Sequence, residues 1–222
     1  MLDDKNLYEM DYFLDNYFGD YKREQMYQQE YARICSRLKI GGNVLDVGCG
    51  IGGFLNVFEE QWIKSGVEPS DWARDKARAN GIHVLPAIRA MESTSQDLVV
   101  FRGTFQHISL PMSSLSQATR ILKPGGSLVF LATPDTGGLV YKLWGNLPML
   151  DAERNWILPG SKWLTNVLSR LGYKDIEVLH PYWNTPYASP VADFGKFAFS
   201  LLFGYRKFAF PGNMMEIYAT KG

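Results

Sequence analysis

From Val44 to Gly53 the chain reads Val-Leu-Asp-Val-Gly-Cys-Gly-Ile-Gly-Gly, and Glu68 closes the next apolar run. Asn43 to Val47 has the composition of a short buried strand. The glycines after it let backbone approach a ligand where any Cβ would collide. An acid about 20 residues further on, at the end of a second strand, stands where a ribose presents its two hydroxyls to a carboxylate. A strand, a glycine turn and a second strand ending in an acid form the first unit of a parallel sheet with a nucleotide-type pocket at its carboxyl edge.

The rest of the chain repeats that alternation. Tyr27, Tyr31, Ile34 and Leu38 recur at helical spacing and predict a helix against the core that ends near Gly41-Gly42, with a start somewhere in Tyr8 to Tyr21. Phe54, Leu55, Phe58 and Trp62 predict the first crossover helix, its N-terminal amides facing the ligand. Strands follow at Ile63 to Glu68 and Ile82 to Leu85, separated by a helix that Ser70 or Asp71 caps and Gly81 closes. Leu98 to Phe101 reads as a strand buried on both faces. A helix through Leu115, Ala118, Ile121 and Leu122 stops at Lys123-Pro124-Gly125-Gly126, before a strand at Leu128 to Ala132. Trp163 to Leu171 gives the next helix and Ile176 to Leu179 the next strand; Met215, Ile217 and Ala219 alternate along a final one. The expected fold is a Rossmann-like α/β sheet with helices on both faces.

Gly48, Gly50 and Gly53 also satisfy the fingerprint of nicotinamide-dependent dehydrogenases. Asp46 speaks against that ligand, because a carboxylate two residues before the first glycine repels a pyrophosphate while orienting loop amides or meeting a ligand ammonium. Leu45-Asp46-Val47-Gly48-Cys49-Gly50 resembles motif I of the class I S-adenosylmethionine-dependent methyltransferases. Gly66-Val67-Glu68-Pro69-Ser70, Gln96-Asp97-Leu98-Val99-Val100, Phe105-Gln106-His107-Ile108 and Leu122-Lys123-Pro124-Gly125-Gly126 continue the resemblance in order. The chain is similar to the branch of that superfamily that serves quinone and cell-surface polysaccharide pathways.

The resemblance implies seven strands with an antiparallel last one, S-adenosyl-L-methionine as cofactor and S-adenosyl-L-homocysteine as product. It implies a cofactor site of Asp46, Gly48, Cys49, Gly50, Gly52, Glu68 and Pro69. Ala87 and Ile88 would flank adenine, and Arg102 and Gly103 would border the methionine end. Arg102 departs from the small or apolar residue expected; the open readings are a pair with the cofactor carboxylate or an acidic acceptor, or a stem reaching solvent. His107 is the catalytic candidate, as a base for a hydroxyl acceptor, or else a brace for the loop after the fourth strand. His83 and His180 read as structural, and His180, at a strand's carboxyl end beside Pro181, has the further reading of facing the pocket.

The expected organisation is one methyltransferase domain over 1–222, with a helical cap to 42, a cofactor-binding half over 43–134 and an acceptor-side half over 135–222. Segments 136–160 and 181–212 break the βα rhythm and are candidate lids. The second interleaves aromatics from Tyr182 to Phe210, which suit a core under a lid, acceptor stacking or a dimer contact. Monomer and homodimer both remain open. Weak contact with a membrane surface through Phe197 to Phe203 is a further reading.

Exclusions come from what is missing. Lys and Arg number 23, as do Asp and Glu, and no basic run offers the phosphate contacts of a nucleic-acid binder. No carboxylate occupies Phe101 to Phe105, so no metal is expected, and the Asn/Asp-Pro-Pro-Tyr/Phe element of base and amide methylation is absent there. Cys35 and Cys49 are too few for a disulfide framework. With no basic-then-apolar leader at Met1 to Lys5 and no apolar run near the ~20 residues of a spanning helix, a cytoplasmic protein is expected. The expected activity is O-methylation of a small-molecule, glycan-like or quinone-like acceptor. A small NAD(P)-dependent oxidoreductase and a non-catalytic cofactor-binding module are the alternatives. The former lacks a Tyr-x-x-x-Lys pair, since Lys142 follows Tyr141 at once.

Overall fold

The computed structural model describes residues 20–222. Seven strands, β1 (Gly42–Val47), β2 (Trp62–Val67), β3 (His83–Leu85), β4 (Gln96–Arg102), β5 (Leu122–Pro134), β6 (Tyr173–Leu179) and β7 (Met214–Lys221), form one sheet in the order β3-β2-β1-β4-β5-β7-β6. β1 to β5 pair in parallel, and β7 runs antiparallel to both its neighbours, β5 and β6. Winding reverses between β1 and β4. In open α/β sheets, ligands bind outside the carboxyl ends of the strands at such a switch point.

Val99, Phe101 and Phe130 are fully buried on the face covered by α3 (Pro111–Ile121) and α5 (Ser161–Arg170). Val44, Val100 and Val129 pack on the other face, under α1 (Tyr21–Arg37) and α2 (Asp71–Ala79). Each such side chain contributes about 1.5–3 kcal/mol by leaving water. Both faces being covered accounts for the unbroken apolar runs of the central strands.

α1 starts where the Asp20 carboxylate accepts from Arg23 N at 3.2 Å, and it buries Tyr27, Tyr31 and Ile34 as their spacing demands. The earlier part of its expected start, from Tyr8, lies outside the described residues. Ser70 caps α2, and Gly81 at φ +78° closes it. α3 ends before Lys123-Pro124-Gly125-Gly126, but that stretch enters β5 as its irregular beginning rather than forming a separate stop.

The first crossover differs from its expectation. Only a single 3₁₀ turn, Leu55–Val57, lies between β1 and β2, and Trp62 opens β2 instead of closing a helical stripe. A run this short does not repay helix nucleation, and its aromatics find partners without one. Phe54 meets Tyr27 with ring centroids 5.7 Å apart, and Phe58 meets Phe54, Tyr31 and Trp62 at 5.2, 4.7 and 5.5 Å. No α-helix N-terminus therefore faces the glycine turn from this crossover.

Segments 136–160 and 181–212 hold α4 (Leu139–Trp144) and α6 (Pro190–Phe203) and share a third apolar cluster around Val140, Leu147 and Phe208. Phe197 stacks on Phe210 at 4.5 Å and meets Trp144 edge-on at 5.6 Å. It therefore faces inward, whereas Leu202 and Phe203 are exposed. No helix among the described residues is long and apolar enough to cross a membrane.

Candidate cofactor and acceptor site

The turn after β1 is built from backbone. Gly48, Gly50 and Gly52 have φ of +80°, +54° and +85°, a region L side chains rarely enter. A Cβ on Gly48 would strike the Thr104 side chain, and one on Gly52 would strike Ile82. Gly48 N and Cys49 N both donate to the Val67 carbonyl, at 2.7 and 3.1 Å, which pins the turn to β2. Cys49 is buried because Gly66 beside it has no side chain, and burial pushes its thiol pKa well up.

Glu68 leaves β2 into this turn, 5% exposed. One carboxylate oxygen accepts from Gly50 N at 3.0 Å and the other from Ser70 N at 2.9 Å. Each oxygen keeps a second lone pair for a ligand. Burial pushes the Glu68 carboxyl pKa up, while these backbone bonds and Arg74 oppose it. Arg74 also donates to the carbonyls of Glu68 and Pro69, at 2.8 and 2.7 Å, so a residue of α2 fixes the bend at Pro69. Ile88 packs into the core beneath the same edge, and Ala87 precedes it in extended backbone.

Asp46, at the end of β1, is 2% exposed, and its Oδ1 has no hydrogen-bond partner among the described residues. Burial pushes its carboxyl up to about 7; Arg102 opposes the shift, and Glu68 and Glu30 reinforce it. An orphaned, buried carboxylate oxygen costs roughly 1–3 kcal/mol or more unless a ligand answers it.

Arg102 closes β4 before Gly103, whose φ is +61°. It does not run to solvent as one reading held. Its Nε meets Glu30 of α1 at 2.6 Å, and the guanidinium lies 4.3 Å over the Tyr27 ring. Glu30 is fully buried, and so is Glu216 of β7, which Arg33 grips at 2.6 and 2.9 Å. Burial raises the Glu30 carboxyl pKa, with Arg102 acting against it. The sequence signal for both acids was available: each interrupts an apolar pattern, Glu30 between Tyr27 and Tyr31, Glu216 between Met215 and Ile217.

His107 lies in a 3₁₀ turn after β4. Its Nδ1 contacts the Arg154 carbonyl at 3.0 Å and its Nε2 the Gln106 amide nitrogen at 3.2 Å. The carbonyl requires a proton on Nδ1, which leaves Nε2 to accept from Gln106. Burial lowers the ring's pKa and favours this neutral form.

Asp135, just past β5, was not singled out from sequence. It is 2% exposed; one carboxylate oxygen accepts from Gly137 N at 2.8 Å and Ser161 N at 2.9 Å, and the other meets His180 Nε2 at 2.7 Å. Its own N–H donates to the Asn213 carbonyl at 3.0 Å. Residues 135, 161, 180 and 213 are the four stems of segments 136–160 and 181–212, and this carboxylate residue ties them together.

Beside Arg102 lies a cavity of about 190 Å³. Ala132 of β5, Met149 of the first segment and Tyr187 and Phe210 of the second form walls, with Asn213 and Glu216 at the β7 side. A wider cleft of about 760 Å³ opens at the opposite, amino edge of the sheet, between Gly42 and Lys123. Because ligands of open α/β sheets bind at the carboxyl edge, the smaller cavity adjoins the candidate site. No group of three or more His, Cys, Asp or Glu among the described residues is arranged to hold a metal.

Comparison with known proteins places this geometry. The methyltransferase domain family matches residues 20–178. A malonyl-[acyl-carrier protein] O-methyltransferase of Paenibacillus is 30% identical over 170 residues, 66% of this chain and 60% of that protein. A tRNA U34 carboxymethyltransferase of Alteromonas mediterranea is 32% identical over 155 residues, 63% of this chain and 47% of that one. The chain thus spans about half to three fifths of the length of these relatives. A solved S-adenosylmethionine-dependent methyltransferase of Thermotoga maritima, a possible histamine N-methyltransferase, superposes with a TM-score of 0.67 at 20% identity, covering 95% of this chain and 97% of that one. Both the extent of the family match and the fold agree with the glycine turn, Asp46 and Glu68: the chain belongs to the class I S-adenosylmethionine-dependent methyltransferases.

Proposed function

We propose that the chain transfers a methyl group from S-adenosylmethionine to an oxygen of a small-molecule acceptor. The observation that carries this reading is the pair of buried carboxylates at a turn no Cβ fits: Glu68 with a lone pair to spare on each oxygen, and Asp46 with an unpartnered one. They suit a ribose diol and an ammonium. They do not suit a pyrophosphate, because Glu68 occupies the Gly50 amide and the crossover brings no helix dipole to bear. This disfavours the nicotinamide alternative.

In this reading Asp46, Glu68 and the amides of the 48–52 turn hold the cofactor, Pro69, Ala87 and Ile88 shape the adenine side, and Gly103 lets backbone approach the methionine end. Bound S-adenosylmethionine would supply an electrophilic methyl group: the acceptor oxygen takes it in a new C–O bond, the electron pair of the broken S–C bond stays on sulfur, and the hydroxyl proton leaves the acceptor for solvent. The protein's part is alignment and exclusion of water. Segments 136–160 and 181–212 act as the lid over the acceptor. The test is transfer of labelled methyl to a panel of small alcohols and phenols, beside calorimetry with S-adenosylhomocysteine and with NAD. Binding of NAD alone overturns the reading.

Asp46 gives the site a pH signature. With its carboxyl at about 7 in the folded chain against about 3.9 unfolded, the stability this group contributes is full below the unfolded value and is lost as pH rises through about 7. A ligand ammonium favours the charged form, so S-adenosylhomocysteine should bind more tightly as pH rises from about 6 to about 8, releasing a proton. Calorimetry in two buffers of different ionisation enthalpy measures that release; identical heats in both remove Asp46 from the ammonium site.

His107 acts in this reading as a brace for the loop rather than as the base. Replacing it with glutamine should lower kcat less than about tenfold and leave the pH–rate profile in place, since general-base removal costs about 10²–10⁴. Loss of one limb of the profile in that variant would restore the catalytic role.

A further inference from the structure

On α6 the usual arrangement of polar and apolar residues is reversed. Its acid, Asp193, is buried and accepts from Tyr182 O–H at 2.9 Å and Ser189 N at 2.8 Å. Ser200 is buried too and accepts from Arg206 N at 3.1 Å, and Phe197 completes this inner stripe by stacking on Phe210. The outer stripe runs through Val191, Gly195, Ala198 and Leu202, three and four residues apart on one face. All four are exposed, Val191 at 92% and Leu202 at 78%, and a Cβ on Gly195 would meet nothing. Phe199 and Phe203, also exposed, widen the stripe with ring centroids 4.5 Å apart. α1 has the ordinary pattern, with Lys22, Glu24, Gln25 and Gln28 outside. A helix whose exterior is apolar marks a surface that something covers.

The charge around that exterior has one sign. Lys and Arg balance Asp and Glu over the whole chain, yet residues 194–215 hold Lys196, Arg206 and Lys207 and no acid. All three cations are exposed, and none enters an ion pair among the described residues. The bond from Arg206 N to Ser200 turns the chain after Gly204 back onto the helix, and the Arg206 guanidinium lies 5.1 Å over the Phe199 ring. Lys196 stands three residues before Phe199 on the helix, and Lys207 follows Arg206. Cations and apolar side chains therefore form one patch.

A second copy of the chain would answer only the apolar half of this patch. A two-fold contact sets each patch against itself, which brings the cations together with no acid between them. A bilayer surface rich in anionic lipid answers both halves, since its acyl boundary takes apolar side chains while its headgroups attract Lys and Arg. We infer that the outer face of α6 docks on an anionic lipid surface through Val191, Phe199, Leu202 and Phe203, with Lys196, Arg206 and Lys207 at the headgroups. At 14 residues α6 is shorter than the ~20 of a spanning helix, so it lies in the interface and does not cross it. Phe197 takes no part, because it faces inward onto Phe210, which borders the cavity beside Arg102. This docking does not depend on the methyltransferase reading.

The test is sedimentation of the full chain with vesicles of phosphatidylcholine alone and of phosphatidylcholine with about one third phosphatidylglycerol. The chain should prefer the anionic vesicles by about 10–100-fold, each cation near such a surface contributing about fivefold, and high salt should remove most of that preference. Leu202→Ser combined with Phe203→Ser should lower partitioning to the anionic vesicles about tenfold or more. Arg206→Gln combined with Lys207→Gln should cut the anionic preference about tenfold. All four side chains are exposed, so both variants should keep the parent's denaturant midpoint. Equal binding to the two vesicle types, no binding to either, or unaltered partitioning of either variant overturns the inference. A dimer that the Leu202→Ser and Phe203→Ser pair dissociates, in a chain that leaves vesicles unbound, gives the face to a second copy instead. Neither arm uses the cofactor, so failure here leaves the cofactor reading standing.

Discussion

Replacing Glu68 with alanine is expected to weaken S-adenosylhomocysteine binding by about 10²–10⁴-fold. A hydrogen bond to a charged group contributes about 1.5–3 kcal/mol, two are lost with the ribose diol, and about 1.4 kcal/mol is a factor of ten. The same change leaves Gly50 N and Ser70 N, now paired with the carboxylate at 3.0 and 2.9 Å, without an acceptor, so stability should also fall by about 1–3 kcal/mol for each amide left dry. Glu68→Gln separates the effects, because its remaining oxygen still accepts while the negative charge is gone; it should recover part of the stability and little of the affinity. Calorimetry and denaturant titration on the three proteins measure both quantities. A folded alanine variant that binds within about threefold of the parent would remove Glu68 from the site.

The second large effect is expected at Glu30→Ala, at about 3–5 kcal/mol of stability. Glu30 is fully buried and Arg102 has 12% of its side chain exposed, so truncating the acid removes the Glu30 carboxylate from a guanidinium held in a dry place. Breaking a buried pair costs this much even where the intact pair contributes little net stability. The double change Glu30→Met with Arg102→Met should regain most of the loss, as apolar replacements of buried pairs do. Denaturant midpoints across the single and double variants form the cycle. If Glu30→Ala costs less than about 1 kcal/mol, the pair is wetter than its burial implies. Arg102 opposes the upward shift of Asp46 more strongly than Glu30 reinforces it, so the double variant, which removes both, should move the pH dependence of cofactor binding modestly to higher pH.

What the sequence disclosed about this fold was what backbone geometry and covalent spacing enforce. The glycine turn was legible because positive φ at Gly48, Gly50 and Gly52 leaves few other residue types usable, and Glu68 because a strand of known length places it. Ser70 and Gly81 marked the ends of α2 by their own chemistry. The first crossover misled because aromatics at Phe54, Phe58 and Trp62 have the spacing of a helical stripe. The same spacing also serves a ladder of edge-on rings across a loop. The partner of Arg102 lies 72 residues away on α1, and no local pattern pairs the two.

Asp135 bears on how the two segments beside it can change. All four stems of 136–160 and 181–212 converge on a single side chain and its backbone amide, so the two stretches, which share an apolar cluster, can vary together while the sheet edge beneath them keeps its shape. New loops grafted onto these fixed posts would leave the half of the sheet that carries the glycine turn untouched.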